Sequence, residues 1–159
     1  QAAFGAQQDR GRSWEDAIAE RIALFPQHET LIRAYRARWI EMIGGPIAES
    51  VALLDALHAR GTPLYALTNW AADTFVEGRP FIPLDRFRGW VVSGAVKLAK
   101  PEPEIFQHLL DKFALRAQET LFIDDMAYNT AAAAELGFDT VTFASPAQLR
   151  GELVARGLL

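Results

Sequence analysis

Apolar and polar positions change rhythm near residue 46. Before it, the chain has only helical periodicity. Ser13 is placed to cap a helix carrying Trp14, Ala17, Ile18, Ile22 and Phe25 on one face, and Pro26 ends it. Leu31, Ile32, Tyr35, Trp39 and Met42 form the stripe of a second helix. Gly44-Gly45-Pro46 then breaks the chain and is the best hinge candidate. No strand signal appears in residues 1–45.

From residue 46, short apolar runs alternate with helical stripes. Ile47, Val51, Leu54 and Leu57 predict a helix stopped by Gly61. Leu64-Tyr65-Ala66-Leu67 reads as a strand, followed by a turn of helix after Trp70 and an irregular stretch from Val76 to Pro83. Trp90-Val91-Val92 is the next strand, and Pro103 to Phe113 a helix with Ile105, Phe106, Leu109, Leu110 and Phe113 inward. Leu121 to Ile123 is a strand, Ala127 to Leu136 an alanine-rich helix closed by Gly137, and Thr140 to Phe143 a strand. Pro146 opens a last helix. Continuous apolar strands separated by helices imply an α/β fold with a doubly wound parallel sheet. The expected division is a helical segment over 1–45 and an α/β core over 46–159.

Ligands of such sheets gather at the carboxyl ends of strands. That directs attention to Thr68-Asn69, Ser93-Gly94, Asp124-Asp125 and Ala144-Ser145. The most telling is Leu121-Phe122-Ile123-Asp124-Asp125, an apolar strand running into two adjacent carboxylates. Neighbouring buried charges repel, and a hard cation such as Mg2+ relieves that cost. A helix cap with a solvated neighbour is the plainer reading. Thr68-Asn69 equally reads as turn chemistry.

Composition narrows the classes. The 159 residues are half hydrophobic, enough for a core, with net charge −4 and no basic run longer than a pair, which argues against a nucleic-acid partner. There are no cysteines, so thiolate catalysis and disulfides are excluded; a reducing cytoplasmic setting fits. No apolar run is long enough to span a bilayer, so no membrane partner is expected. His28, His58 and His108 lack partners at ligand spacing and read as solvated or packing residues. The four tryptophans read mostly as core; Trp70, directly after the candidate site, is also placed to wall a pocket. Arg10 and Arg12 read as exposed arginines or anion partners.

Three ordered segments resemble the haloacid dehalogenase-like (HAD) hydrolase superfamily, with a Rossmann-like core. They are Leu64 to Asn69, Val96 to Phe106 with Lys100-Pro101, and Leu121 to Asp125 followed by Asn129. The resemblance covers most of residues 46–145, and it implies that the helices of residues 1–45 are a partial helical cap. It implies that an aspartate nucleophile forms an ester intermediate that water then cleaves. Thr68 would donate to a phosphoryl oxygen, with help from the Asn69 amide. Lys100, preferred to Lys97 because Pro101 follows it, would place a positive charge beside nucleophile and phosphoryl group. Asp124 would ligate Mg2+ directly, and Asp125 through water. Asn129 would orient the acidic loop or sit on a helix surface. Glu102 and Glu104 read as first-turn helix charges.

The family's first motif, an apolar strand ending in Asp-x-Asp or Asp-x-Gly, has no counterpart in residues 1–45. Asp9 lacks a strand before it, and Asp16 lies in the first turn of a helix. Gln1-Ala2-Ala3-Phe4 reads as a start partway into a protein, so the nucleophile is expected upstream of residue 1 and the core is expected to lack its first strand, between 64–67 and 121–123. A self-contained chain would need a rearranged sheet or a partner strand. The expected activity is a Mg2+-dependent phosphatase acting on a small-molecule phosphate ester. A 2-haloacid dehalogenase is the alternative, and a non-catalytic phosphate- or metal-binding module is the reading if the chain is complete. Cap aromatics leave a homodimer open.

Overall fold

The computed structural model describes residues 2–159, with side chains from Gly5 onward; Gln1, on which the expected fragment start falls, lies outside them. The chain resolves into two compact units. One comprises Gln1–Gly45, Thr68–Ile82 and Val91–Ala99; the other comprises Pro46–Leu67, Pro83–Trp90 and Lys100–Leu159.

In the first unit, α1 (Ala2–Gln8) leads through a turn into α2 (Trp14–Leu24). Ser13 caps α2 as expected, its Oγ accepting from Asp16 N at 3.0 Å. Trp14 and Ile18 pack with Ala71, with Ile22, Ile32 and Trp39 at the margin. The second predicted stripe is only half used. Helix α3 (Glu29–Ala37) ends before Trp39, which sits in a separate 3-10 turn with Met42. Leu31, Tyr35 and Met42 remain 69%, 49% and 55% exposed, so this stripe does not face a core as the periodicity predicts. Helices α5 (Ala72–Gly78) and α6 (Ser93–Val96) complete the unit. Gly94 lies so close to the 70–72 backbone that a Cβ there would meet Ala72 N at 2.6 Å, and its own N–H donates to Trp70 O. Only a residue without a side chain permits that approach.

Helix α4 (Ala48–Ala59) belongs to the second unit and stops at Gly61, where φ is +77°. The strands are β1 (Tyr65–Thr68), β2 (Gly89–Val92), β3 (Leu121–Asp124) and β4 (Asp139–Thr142). Helices α7 (Pro103–Phe113), α8 (Ala127–Glu135) and α9 (Pro146–Ala155) separate or follow the later strands. Strands β3 and β4 run parallel, with Asp124 opposite Thr142. Phe106, Phe122 and Phe138 form an aromatic cluster with ring centroids 5.2 to 6.2 Å apart. Leu53, Leu57, Val141, Leu149 and Leu153 form a second core between α4, β4 and α9.

The architecture is the expected α/β, Rossmann-like one, but its sheet is interrupted. Among the described residues, β1 pairs with β2 and β3 with β4, as two separate two-stranded sheets. A cleft of about 1000 Å3 is lined by Leu64 to Leu67 on one side and Leu121 to Ile123 on the other. Ile123, which a continuous sheet would bury, is 36% exposed.

Candidate functional site

The end of β3 concentrates the polar chemistry of the second unit. Apolar β3 carries Asp124 into the interior, where it is 8% exposed. Helix α7 is preceded by the Lys100-Pro101 step, whose peptide bond is cis, and Lys100 reaches Asp124 Oδ2 with Nζ at 2.6 Å. The same ammonium donates to the carbonyl of Leu67 at 2.9 Å and lies 5.6 Å from the Phe122 ring centre. One lysine therefore ties the ends of β1 and β3 together. Its side chain and that of Asp124 are only 9% and 5% exposed, so the ion pair is desolvated. Such a pair is justified by its hydrogen bonding, because removing either partner leaves a buried, uncompensated charge.

Asp124 Oδ1 is equally engaged. It accepts from Met126 N and from Asn129 Nδ2, both at 2.9 Å. Asn129, which the sequence left undecided between a surface and an orienting role, is buried on α8 and fixes the carboxylate. Its own Oδ1 is buried without a hydrogen-bond partner.

The structure brings Lys100 and Asp124 together, with Asn129 added. Asp125 is exposed. Lys100 compensates the buried carboxylate of Asp124, while that of Asp125 faces outward. Thr68 closes β1 and follows Leu67, whose carbonyl Lys100 holds; it is half-buried in the first unit. Asn69 is also half-buried there and lines a small cavity. Lys97, the competing lysine, is exposed and adopts φ +60°.

The acids fit a Mg2+ ion only in its sparse mode of binding. Three of roughly four acceptor directions on Asp124 are in use, and among the described residues no group of three His, Asp or Glu side chains is placed to hold a metal. Mg2+ is commonly held by one or two carboxylates, completed by water and substrate phosphate. Asp124 and Asp125 can supply that much and no more.

The first unit holds a feature that the sequence did not signal. Gln8, at the end of α1, is 1% exposed, and neither amide atom of its side chain has a hydrogen-bond partner. It lines a cavity of about 210 Å3 together with Asp9, Trp14, Trp39, Asn69 and Trp70. Burial pushes the Asp9 carboxyl above its usual value. A glutamine at a helix end ordinarily reads as solvated, and nothing local marks it as buried.

Comparison with known proteins gives the chain its family. Residues 3–137 match the haloacid dehalogenase-like hydrolase family, and the chain belongs to that family. It is 33% identical, over 58% of its length and 47% of the relative's, to the sesquiterpene phosphatase astK of Aspergillus oryzae. It is 35% identical, over 64% of its length, to a part of mouse (Mus musculus) acyl-CoA dehydrogenase family member 10. The chain spans about half of the first of these relatives and 10% of the second. Among solved structures, a HAD family enzyme of Bacteroides thetaiotaomicron, in complex with magnesium and inorganic phosphate, superimposes with TM-score 0.69 at 27% identity, covering 87% of this chain and 74% of that one. A HAD-like hydrolase of Porphyromonas gingivalis shares the fold, with TM-score 0.75 at 21% identity over 95% of this chain and 78% of that one. Among the described residues, no helix is long and apolar enough to cross a membrane.

Proposed function

We propose that this hydrolase is a Mg2+-dependent phosphatase of small phosphomonoesters, acting through an aspartyl-phosphate. The observation that carries the reading is the desolvated Lys100–Asp124 pair at the ends of β1 and β3, beside a strand-wide cleft between them. The relative named as a phosphatase and the neighbour holding magnesium and phosphate support it.

The nucleophilic aspartate belongs on a strand seated in that cleft, which would pair the free edges of β1 and β3. Asp124 and Asp125 would hold the Mg2+, which when bound neutralises charge building on the phosphoryl oxygens. Lys100 keeps a fixed positive charge facing the same oxygens, and its bond to Leu67 O stops it from swinging away. Thr68 Oγ1 donates to a phosphoryl oxygen, and the Asn69 amide assists. Asn129 is a positioning residue acting through Asp124. Residues 1–45 form part of a helical cap that limits water access and selects the substrate.

The test is hydrolysis of p-nitrophenyl phosphate and of 2-chloropropionate by the full-length gene product, with and without Mg2+. Metal-dependent phosphate release is expected. Metal-independent halide release would instead make it a dehalogenase, and phosphate-ester binding without turnover would make it a binding module.

A further inference from the structure

The cavity of the first unit is walled by aromatic rings and carries charge of one sign. Trp14, Trp39 and Trp70 line it, and among the described residues around it Asp9 is the one titratable side chain, with no lysine, arginine or histidine. The rings are held in place. Trp70 donates through Nε1 to Thr74 Oγ1 at 3.1 Å, and its ring stands edge-on to those of Trp39 and Phe75, with centres 5.8 and 5.7 Å away. Trp39 and Trp70 are only half-buried, so part of each indole stays open to an occupant. The Asp9 carboxyl is half-buried too, and among the described residues no hydrogen bond or ion pair engages it. Arg12, three residues on, is bound instead to Gln7 and Glu20.

That lining separates the ligand classes. A phosphate or carboxylate would meet the Asp9 charge with no cation to offset it. A neutral apolar group would suit the rings but leave the carboxylate desolvated and unpaired. A cation answers both. An indole face attracts positive charge lying within about 6 Å of its centre. With ring centres 5.8 Å apart, one cation can lie that close to Trp39 and Trp70 together. Among cations, a primary ammonium brings three N–H donors, each needing an acceptor. Asp9 supplies one carboxylate, and Thr74 Oγ1 is already joined to Trp70 Nε1 and Ala71 O. A methylated ammonium has no such demand, and its methyl groups carry the charge against the rings. The 210 Å3 equals about seven waters at ~30 Å3 each, room for a trimethylammonium head.

We propose that the first unit binds a methylated ammonium group in this cavity, its charge facing Asp9 and its methyl groups against the indoles of Trp39 and Trp70. Assigning that group to the alcohol portion of the phosphomonoester rests on the phosphatase reading; the binding itself does not.

Tetramethylammonium chloride is titrated into the protein without divalent metal or phosphate, at constant ionic strength, following tryptophan emission and saturation-transfer NMR. tert-Butanol, a neutral group of similar shape, and methylammonium are run beside it. Saturable binding of tetramethylammonium is expected, with saturation transfer to its methyl protons and an affinity at least tenfold above that of either comparator. Trp39→Leu should weaken it at least tenfold. Asp9→Asn, which removes the charge and keeps the shape, should weaken it at least fivefold with an unchanged circular-dichroism spectrum. No saturable response, equal or tighter binding of tert-butanol or methylammonium, or unaltered affinity in Asp9→Asn would overturn the proposal. Binding is read without turnover, so a failed phosphatase assay leaves this result standing.

Discussion

Two buried polar centres in this chain are built in opposite ways. At the end of β3, Asp124 meets Lys100, Asn129 and Met126 N within hydrogen-bonding distance, all supplied by the chain itself. In the first unit, the Gln8 amide is as deeply buried and meets no hydrogen-bond partner. The former is a preorganised centre, whose charges are held in place before any ligand arrives. The latter is stable only because the rest of its unit tolerates the deficit. Polar burial alone therefore does not distinguish the two centres; the hydrogen bonds that the chain itself supplies do.

The contrast is broken most severely at Lys100. Lys100→Met leaves the Asp124 charge buried and should destabilise the protein by about 3–5 kcal/mol in urea unfolding. Gln8→Met should do the reverse, holding or raising stability without ligand, since it removes an amide that nothing completes. If both substitutions cost the same, the distinction between the two centres fails.

Smaller effects sharpen it. Asn129→Ala withdraws one donor from Asp124 and should cost about 1–3 kcal/mol. Gly94→Ala should cost a similar ~1–3 kcal/mol, because the new methyl meets the 70–72 backbone. Thermal unfolding of each variant reads both.

Acid titration gives the finest comparison. Arg156 grips Asp139 through Nε and Nη2 at 2.6 and 3.1 Å, and holds that carboxyl below its usual value. Its stabilisation is therefore present above the unfolded value and lost as pH falls through the folded one. Asp9 has the opposite sign. Burial raises it, so its relative stabilisation exists below the unfolded value and is lost as pH rises through the folded one. Asp9→Asn should therefore stabilise the unliganded protein at neutral pH, Asp139→Asn should destabilise it, and both differences should vanish in strong acid. Denaturant midpoints at pH 7 and below pH 3 measure them.

Much of the second unit was legible because strand and helix periodicities there agree with turn chemistry. Pro103 begins α7, Pro146 begins α9, and Gly61 and Gly137 take positive φ after helices. The nearness of Lys100 to Asp124 was expected from motif order, whereas the hydrogen bonds that join each of Lys100 and Asn129 to Asp124 were not. The 31–42 stripe misled, because periodicity reports an apolar face and not whether anything covers it; Leu31 and Met42 stay exposed. Helix α6 was missed because four residues are too few to establish a period. Gln8 was missed because burial set by the tertiary fold leaves no local sequence mark; the cavity it lines also draws on Trp39 and Trp70, distant in sequence.

The most direct measurement is phosphate release from p-nitrophenyl phosphate by the full-length gene product and its Lys100→Arg variant, both checked for folding by circular dichroism. The bulkier, planar guanidinium keeps the charge but cannot reproduce the paired bonds to Leu67 O and Asp124 Oδ2. We predict Mg2+-dependent release by the parent and at least a hundredfold loss of kcat in the folded variant. Equal rates in the two proteins would contradict a catalytic place for this lysine and its aspartate.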